Sequence, residues 1–135
     1  MNLGNSMMQE LNDEEITALI RVRHCLSQGE FTYFATPQAI DYRSISFPDL
    51  NGERLRIFDM HLTLVQYPYG TVACIGGWMM SYMRKGYTDL ALFVCHKPRL
   101  RELCYPPFMF PRIHPKQAVR AIDNYMFDKP IWDIV

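Results

Sequence analysis

Cys74 is the residue whose type and position most readily suggest chemistry. It lies in Gly70-Thr71-Val72-Ala73-Cys74-Ile75-Gly76-Gly77-Trp78, a stretch in which Thr71 can cap a helix. That reading puts the thiol in the first helical turn, where the positive end of the helix dipole favours a thiolate. Cysteine-dependent hydrolases and transferases present their nucleophile this way, and an imidazole from His61, His96 or His114 would serve as the base. The competing reading is packing, because the surroundings are strongly apolar and cysteine is among the most often buried residues. His24-Cys25 and Cys95-His96 together offer four potential zinc ligands. Neighbours on a helix point about 100° apart, so neither pair chelates by itself. The short ligand spacing of zinc sites is also missing, and neither a metal nor a cofactor is expected. The chain has no P-loop, no dinucleotide fingerprint and no HExxH.

Asp59 follows the strand-like Leu55–Phe58, and its simplest role is to bind nearby backbone amides or cap a turn. Trp78 reads as a core anchor. Tyr67, Tyr69, Tyr105, Phe108 and Phe110 lie beside prolines. They are either loop packing or an aromatic surface for a partner. Arg21-Val22-Arg23-His24 and Arg99-Leu100-Arg101 are short basic groups that read as solvated faces.

The elements that position these residues are mostly helical. Asn12 before Asp13, Glu14 and Glu15 is a capped, dipole-matched start, with Glu15 able to close a capping box. Ile16, Leu19, Ile20 and Leu26 give one apolar face, Val22 lies at its edge, and Gly29 suits the C-terminal cap, so a helix is expected over 13–27. Thr36-Pro37 allows a short helix near 37–42. Apolar alternation on both sides of Asn51-Gly52 predicts a hairpin joining 45–47 to 55–57, with Pro48 at its edge.

The next element reads as a buried helix at about 71–85, apolar nearly all round and ended by Arg84-Lys85-Gly86. Gly76 and Gly77 cost about 1 kcal/mol each against alanine there, so another backbone must approach closely, with the last helix the first choice. Short helices follow from Thr88-Asp89 to Cys95 and from Pro98 to Leu103. The last begins at His114-Pro115, presents Ala118, Val119, Ile122 and Met126, and stops before Pro130, and Ile131–Val135 can dock back on the core. The expected fold is a mainly helical α+β domain with a minor hairpin, packed around the 71–85 helix. Residues 1–135 form one domain, and 1–11 are its flexible end.

Composition agrees with a globular chain, since 49% of the 135 residues are hydrophobic and 21% charged. Fourteen basic residues balance fourteen acidic ones, so the basic excess of a nucleic-acid binder is absent. No apolar run is long enough to span a membrane. Met1–Glu10 lacks the pattern of an export signal, so a cytoplasmic protein with reduced thiols is expected.

Phe58-Asp59-Met60, Tyr69-Gly70-Thr71 through Cys74-Ile75-Gly76-Gly77-Trp78, Leu103-Cys104-Tyr105-Pro106 and His114-Pro115-Lys116-Gln117-Ala118 carry a resemblance. In order and spacing over about 55–127 they are similar to a loosely defined family of small bacterial and phage proteins. That family shows a Phe-Asp-Met stretch, a Cys-Gly-Thr-x-x-Cys-Ile-x-Gly-Trp block, a Leu-Phe-Tyr-Pro-like segment and a Thr-Pro-x-Gln-Ala helix start. The resemblance implies a phage or prophage accessory protein, acting in the host cytoplasm against host defence. The family's first cysteine is Tyr69 here, which removes a pairing with Cys74. Its threonine is His114 here, and a position that takes either residue before proline behaves as a cap.

The leading functional expectation is therefore a non-enzymatic interaction protein with a protein partner, binding through Tyr67, Tyr69, Tyr105, Phe108 and Phe110. A homodimer seam formed by Met79, Met80 and Met83 is a variant of it. One alternative is a cysteine-dependent hydrolase or transferase using Cys74 and His114. The other is a small-ligand binder that holds a nucleotide between the aromatic loops.

Overall fold

The computed structural model describes residues 5–35, 40–46, 53–83, 89–106 and 113–133. Three strands share one sheet, β1 (Leu55–Phe58), β2 (Leu64–Tyr67) and β3 (Gly70–Ala73), in the order β1-β3-β2. β3 runs parallel to β1 and antiparallel to β2. The hairpin is thus β2–β3, closed where Tyr67 pairs with Gly70 around Pro68-Tyr69. Proline second and glycine fourth is a β-turn pattern. The expected hairpin from 45–47 to 55–57 does not form, because Ile45 and Ser46 lie in no strand and β1 pairs with β3 instead. Asn51-Gly52 lies outside the described residues.

The expected helix at 71–85 is corrected as well. Gly70–Ala73 is strand, where β-branched Thr71 and Val72 suit a pleated surface. Cys74 is extended and is itself the N-cap of helix α3 (Ile75–Tyr82). Arg84, Lys85 and Gly86 lie outside the described residues.

The sheet separates two apolar clusters. Phe58 and Ala73, paired across the strands, join the larger one, which holds the buried faces of the helices. Ile57 and Val72, the next pair along, face the other way and pack with Tyr42 and Tyr69. The fold is α+β, with its helices drawn to one side of a small sheet.

Helix α2 (Asp13–Ser27) has the expected capping box between Asn12 and Glu15. Its C-terminal end is a Schellman motif, in which Gly29 has φ +68° and the Glu30 N–H reaches the Cys25 carbonyl at 2.9 Å. The buried stripe is rotated from the expected one, with Val22 fully buried and Ile20 46% exposed. Helix α6 (Pro115–Met126) starts at a His114–Gln117 capping box. Both α3 and α6 pack against α2, which widens the face α2 must bury.

In place of a frayed end, Asn5–Glu10 forms helix α1, with Met7 fully buried. The Glu10 carboxylate accepts the backbone N–H groups of Arg99 and Leu100 at 2.9 Å each and the Tyr125 hydroxyl at 3.0 Å. It thereby caps helix α5 (Pro98–Cys104) from another element, where Lys97 supplies no side-chain cap. Helix α4 (Leu90–Val94) starts from an Asp89 cap. Residues 37–39 of the expected 37–42 helix lie outside the described residues, and the nearest helical turn is a 3-10 helix at Tyr42–Ser44. Ile131 and Trp132 dock on the core.

The glycine pair does meet a close backbone, but not that of the last helix. A Cβ on Gly77 would stand 1.5 Å from the carbonyl oxygen of Thr63, in the approach to β2. On Gly76 it would meet the ends of the Leu90 and Cys104 side chains at 2.5 and 2.8 Å. Met79, Met80 and Met83 are buried in the main cluster, so they are not presented as a dimer seam. Trp78 anchors that cluster, its ring tilted against Phe31 at 4.7 Å between centroids and donating its N–H to the Ile57 carbonyl at 3.1 Å.

Candidate functional site

On the sheet face away from the helices, three tyrosines converge. Tyr42 is placed by the 3-10 helix, which Asp41 caps through the Arg43 N–H. Its hydroxyl donates to Asp59 at 2.6 Å, and the other carboxylate oxygen of Asp59 accepts the His61 N–H at 2.9 Å. The second contact is the backbone-binding turn expected of Asp59. Tyr69 in the hairpin turn donates its hydroxyl to the Tyr42 carbonyl at 2.8 Å. Burial pushes the Tyr69 hydroxyl above its ordinary pKa, with smaller contributions from Tyr67 and Asp41. Tyr67 stacks on Tyr69 with the ring planes 3° apart and centroids at 5.4 Å. Arg54 holds the turn from outside, donating to the carbonyls of Tyr67 and Pro68.

These rings, with Arg43, Ile45, Ser46 and Pro68, bound a cavity of about 480 Å³. That is within the size range of small-molecule sites. Sequence reasoning found Tyr67 and Tyr69 but missed Tyr42, Arg43 and Ser46. The signal within reach was the Asp41 cap ahead of Tyr42-Arg43-Ser44. Tyr105 is on another element, at the C-terminal cap of α5, and is 46% exposed. Phe108 and Phe110 lie outside the described residues.

Cys74 occupies a helix start but is only 2% exposed. Its sulfur accepts the Gly77 N–H at 3.4 Å and donates to the Thr63 carbonyl at 3.8 Å. Burial raises the thiol above its ordinary pKa and outweighs the helix N–H groups that lower it. Among the described residues, no histidine hydrogen-bonds this sulfur. His61 and His96 are exposed. The His114 Nδ1 accepts the Lys116 N–H at 3.0 Å, which commits that nitrogen to the α6 cap. Its ring meets Tyr33 edge-on in a separate, mostly apolar hollow beside α2. The structure thus places Cys74 and His114 in two different local networks.

Cys25 is buried with its sulfur 3.9 Å from the Tyr82 hydroxyl, while Cys95 is exposed. Among the described residues, no group of three or more His, Cys, Asp or Glu side chains could hold a metal ion. Among them too, no helix is long and apolar enough to cross a membrane. Arg23 of the first basic group pairs with Asp123, and Arg99 of the second reaches the Asn124 and Lys129 carbonyls. These two arginines tie separate parts of the fold together. No family model, curated protein or solved structure matches this chain.

Proposed function

We propose that this protein acts by binding and not by catalysis, and that the cavity of Tyr42, Tyr67 and Tyr69 is where it recognises its partner. The observation that carries the reading is the fixing of these rings before anything binds. Two hydroxyls are used internally, one on a buried carboxylate and one on a backbone carbonyl. Rigid aromatic walls lose little entropy on association and are enriched where binding energy concentrates. The burial and raised pKa of Cys74 speak against the cysteine-dependent alternative. The partner is proposed to be a protein. A cytoplasmic phage or prophage accessory role against host defence is what the family resemblance adds.

Capture of cellular partners by the tagged chain tests this reading. Tyr67→Ala is expected to abolish capture, while Tyr105→Ala and Cys74→Ser leave it intact. Capture that survives Tyr67→Ala would remove the cavity from the recognition site. Loss with Cys74→Ser in a folded variant would reopen the thiol chemistry.

A further inference from the structure

We infer that the tyrosine cavity takes a nucleotide-like ligand, a flat aromatic ring carrying an anionic group. The inference rests on the reading of this cavity as a binding site and assigns the chemistry of what enters it; it does not require the protein partner to bind at the same place.

Tyr42 and Tyr69 are buried behind the partly exposed ring of Tyr67, so Tyr67 is the ring of the three on which a flat ligand could stack. Tyr67 and Tyr69 form one parallel stack, and Tyr42 stands tilted beside Tyr67 at 6.1 Å between centroids. Stacking of a base on such a ring is tolerant of its identity and contributes about 1–3 kcal/mol. The volume of about 480 Å³ exceeds what a single inserted side chain needs.

The polar groups at the cavity divide into two sets. The hydroxyls of Tyr42 and Tyr69 are engaged internally and hold the walls. The hydroxyls of Tyr67 and Ser46 and both Nη groups of Arg43 have no partner among the described residues. Only the Nε of Arg43 is used, on Asp41 at 3.3 Å, and that pair is exposed, with the arginine side chain 84% accessible. Such a pair holds its members weakly and leaves the guanidinium fork available. Two N–H donors in a fixed plane match a phosphate or carboxylate. Arg54, on the other side of the turn, spends its donors on the Tyr67 and Pro68 carbonyls. Among the described residues, Arg43 is thus the cationic group that lines the cavity, and the hydroxyls of Ser46 and Tyr67 add neutral donors.

Titration calorimetry with AMP, GMP and UMP, each beside its nucleoside, tests the inference. At least one monophosphate should bind at millimolar concentration or below, and about tenfold tighter than its nucleoside. Arg43→Ala should remove that advantage. Tyr67→Ala should weaken binding about tenfold or more, while Tyr67→Phe, which keeps the ring, should retain it. Absence of binding to all three, or binding indifferent to both Arg43→Ala and Tyr67→Ala, overturns the inference. If the nucleotides fail but Tyr67→Ala still abolishes partner capture, the ligand chemistry is wrong and the recognition site stands. If nucleotides fail and capture ignores Tyr67→Ala, both readings fall. If nucleotides bind as expected and capture ignores Tyr67→Ala, the ligand inference stands without a protein partner at this site.

Discussion

Cys74 shows how far a single residue can be read in advance. A helix start close to it was legible, but through the wrong signal: Gly70-Thr71, read as the cap, is strand, and Cys74 itself caps α3. Its enclosure was not legible, because it depends on Thr63 and on the neighbourhood of Cys104, which the chain brings in from distant positions. A maleimide probe should therefore modify exposed Cys95 first and reach Cys74 only at the rate of unfolding. Fast labelling of Cys74 in the native protein would contradict its burial. Cys74 and Cys104 also set a pH dependence. Burial raises both thiols above the ordinary value of 9.0, so the unfolded chain ionises first as pH rises past that value. Their contribution to stability is complete at neutral pH and is lost as pH climbs above about 9 towards the raised folded values. Urea melts at pH 7 and pH 10 should show the loss, and Cys104→Ala should make the slope shallower.

At the scale of elements, the glycine pair was legible as a demand for a close neighbour, though not as to which. The structure ranks the two positions. Gly77→Ala drives a methyl into a backbone carbonyl and should destabilise by more than about 3 kcal/mol. Gly76→Ala meets only side-chain ends, which can move, and should cost about 1–2 kcal/mol. Equal losses in chemical denaturation would mean that the Thr63 carbonyl can retreat. Helix starts read well where a local capping box marks them, as at Asn12 and His114-Pro115. The cap on α5 was invisible because Glu10 supplies it from 89 residues away. Glu10→Ala leaves two backbone N–H groups and the Tyr125 hydroxyl without their acceptor, and should cost about 2–3 kcal/mol in the same assay.

For the whole molecule, the partition into two apolar clusters was the least legible feature. Asn51-Gly52 supplied the stronger local turn signal, but the strands follow their long-range partners, with β1 parallel to β3. Parallel pairing leaves no local signature of the turn kind. The tyrosine side was likewise split in the sequence between Tyr42 and the Tyr67–Tyr69 turn. Tyr42→Phe removes the donor at a buried carboxylate oxygen. It should cost about 1–3 kcal/mol and loosen the cavity wall while far-UV circular dichroism retains its helical signal. A collapse of the helical signal at 25 °C would show that the two clusters do not hold separately.

The middle strand has a consequence for how this gene can change. Val72 serves the tyrosines and Ala73 the helices, and the next residue, Cys74, caps α3. Since successive side chains alternate faces, an insertion or deletion of one codon within Gly70–Ala73 would exchange the two interiors. It would also displace the cap by one place. Length variation in this segment is therefore closed to single-residue steps, whereas point substitutions remain open. Their tolerance should alternate along the strand according to which interior each position serves.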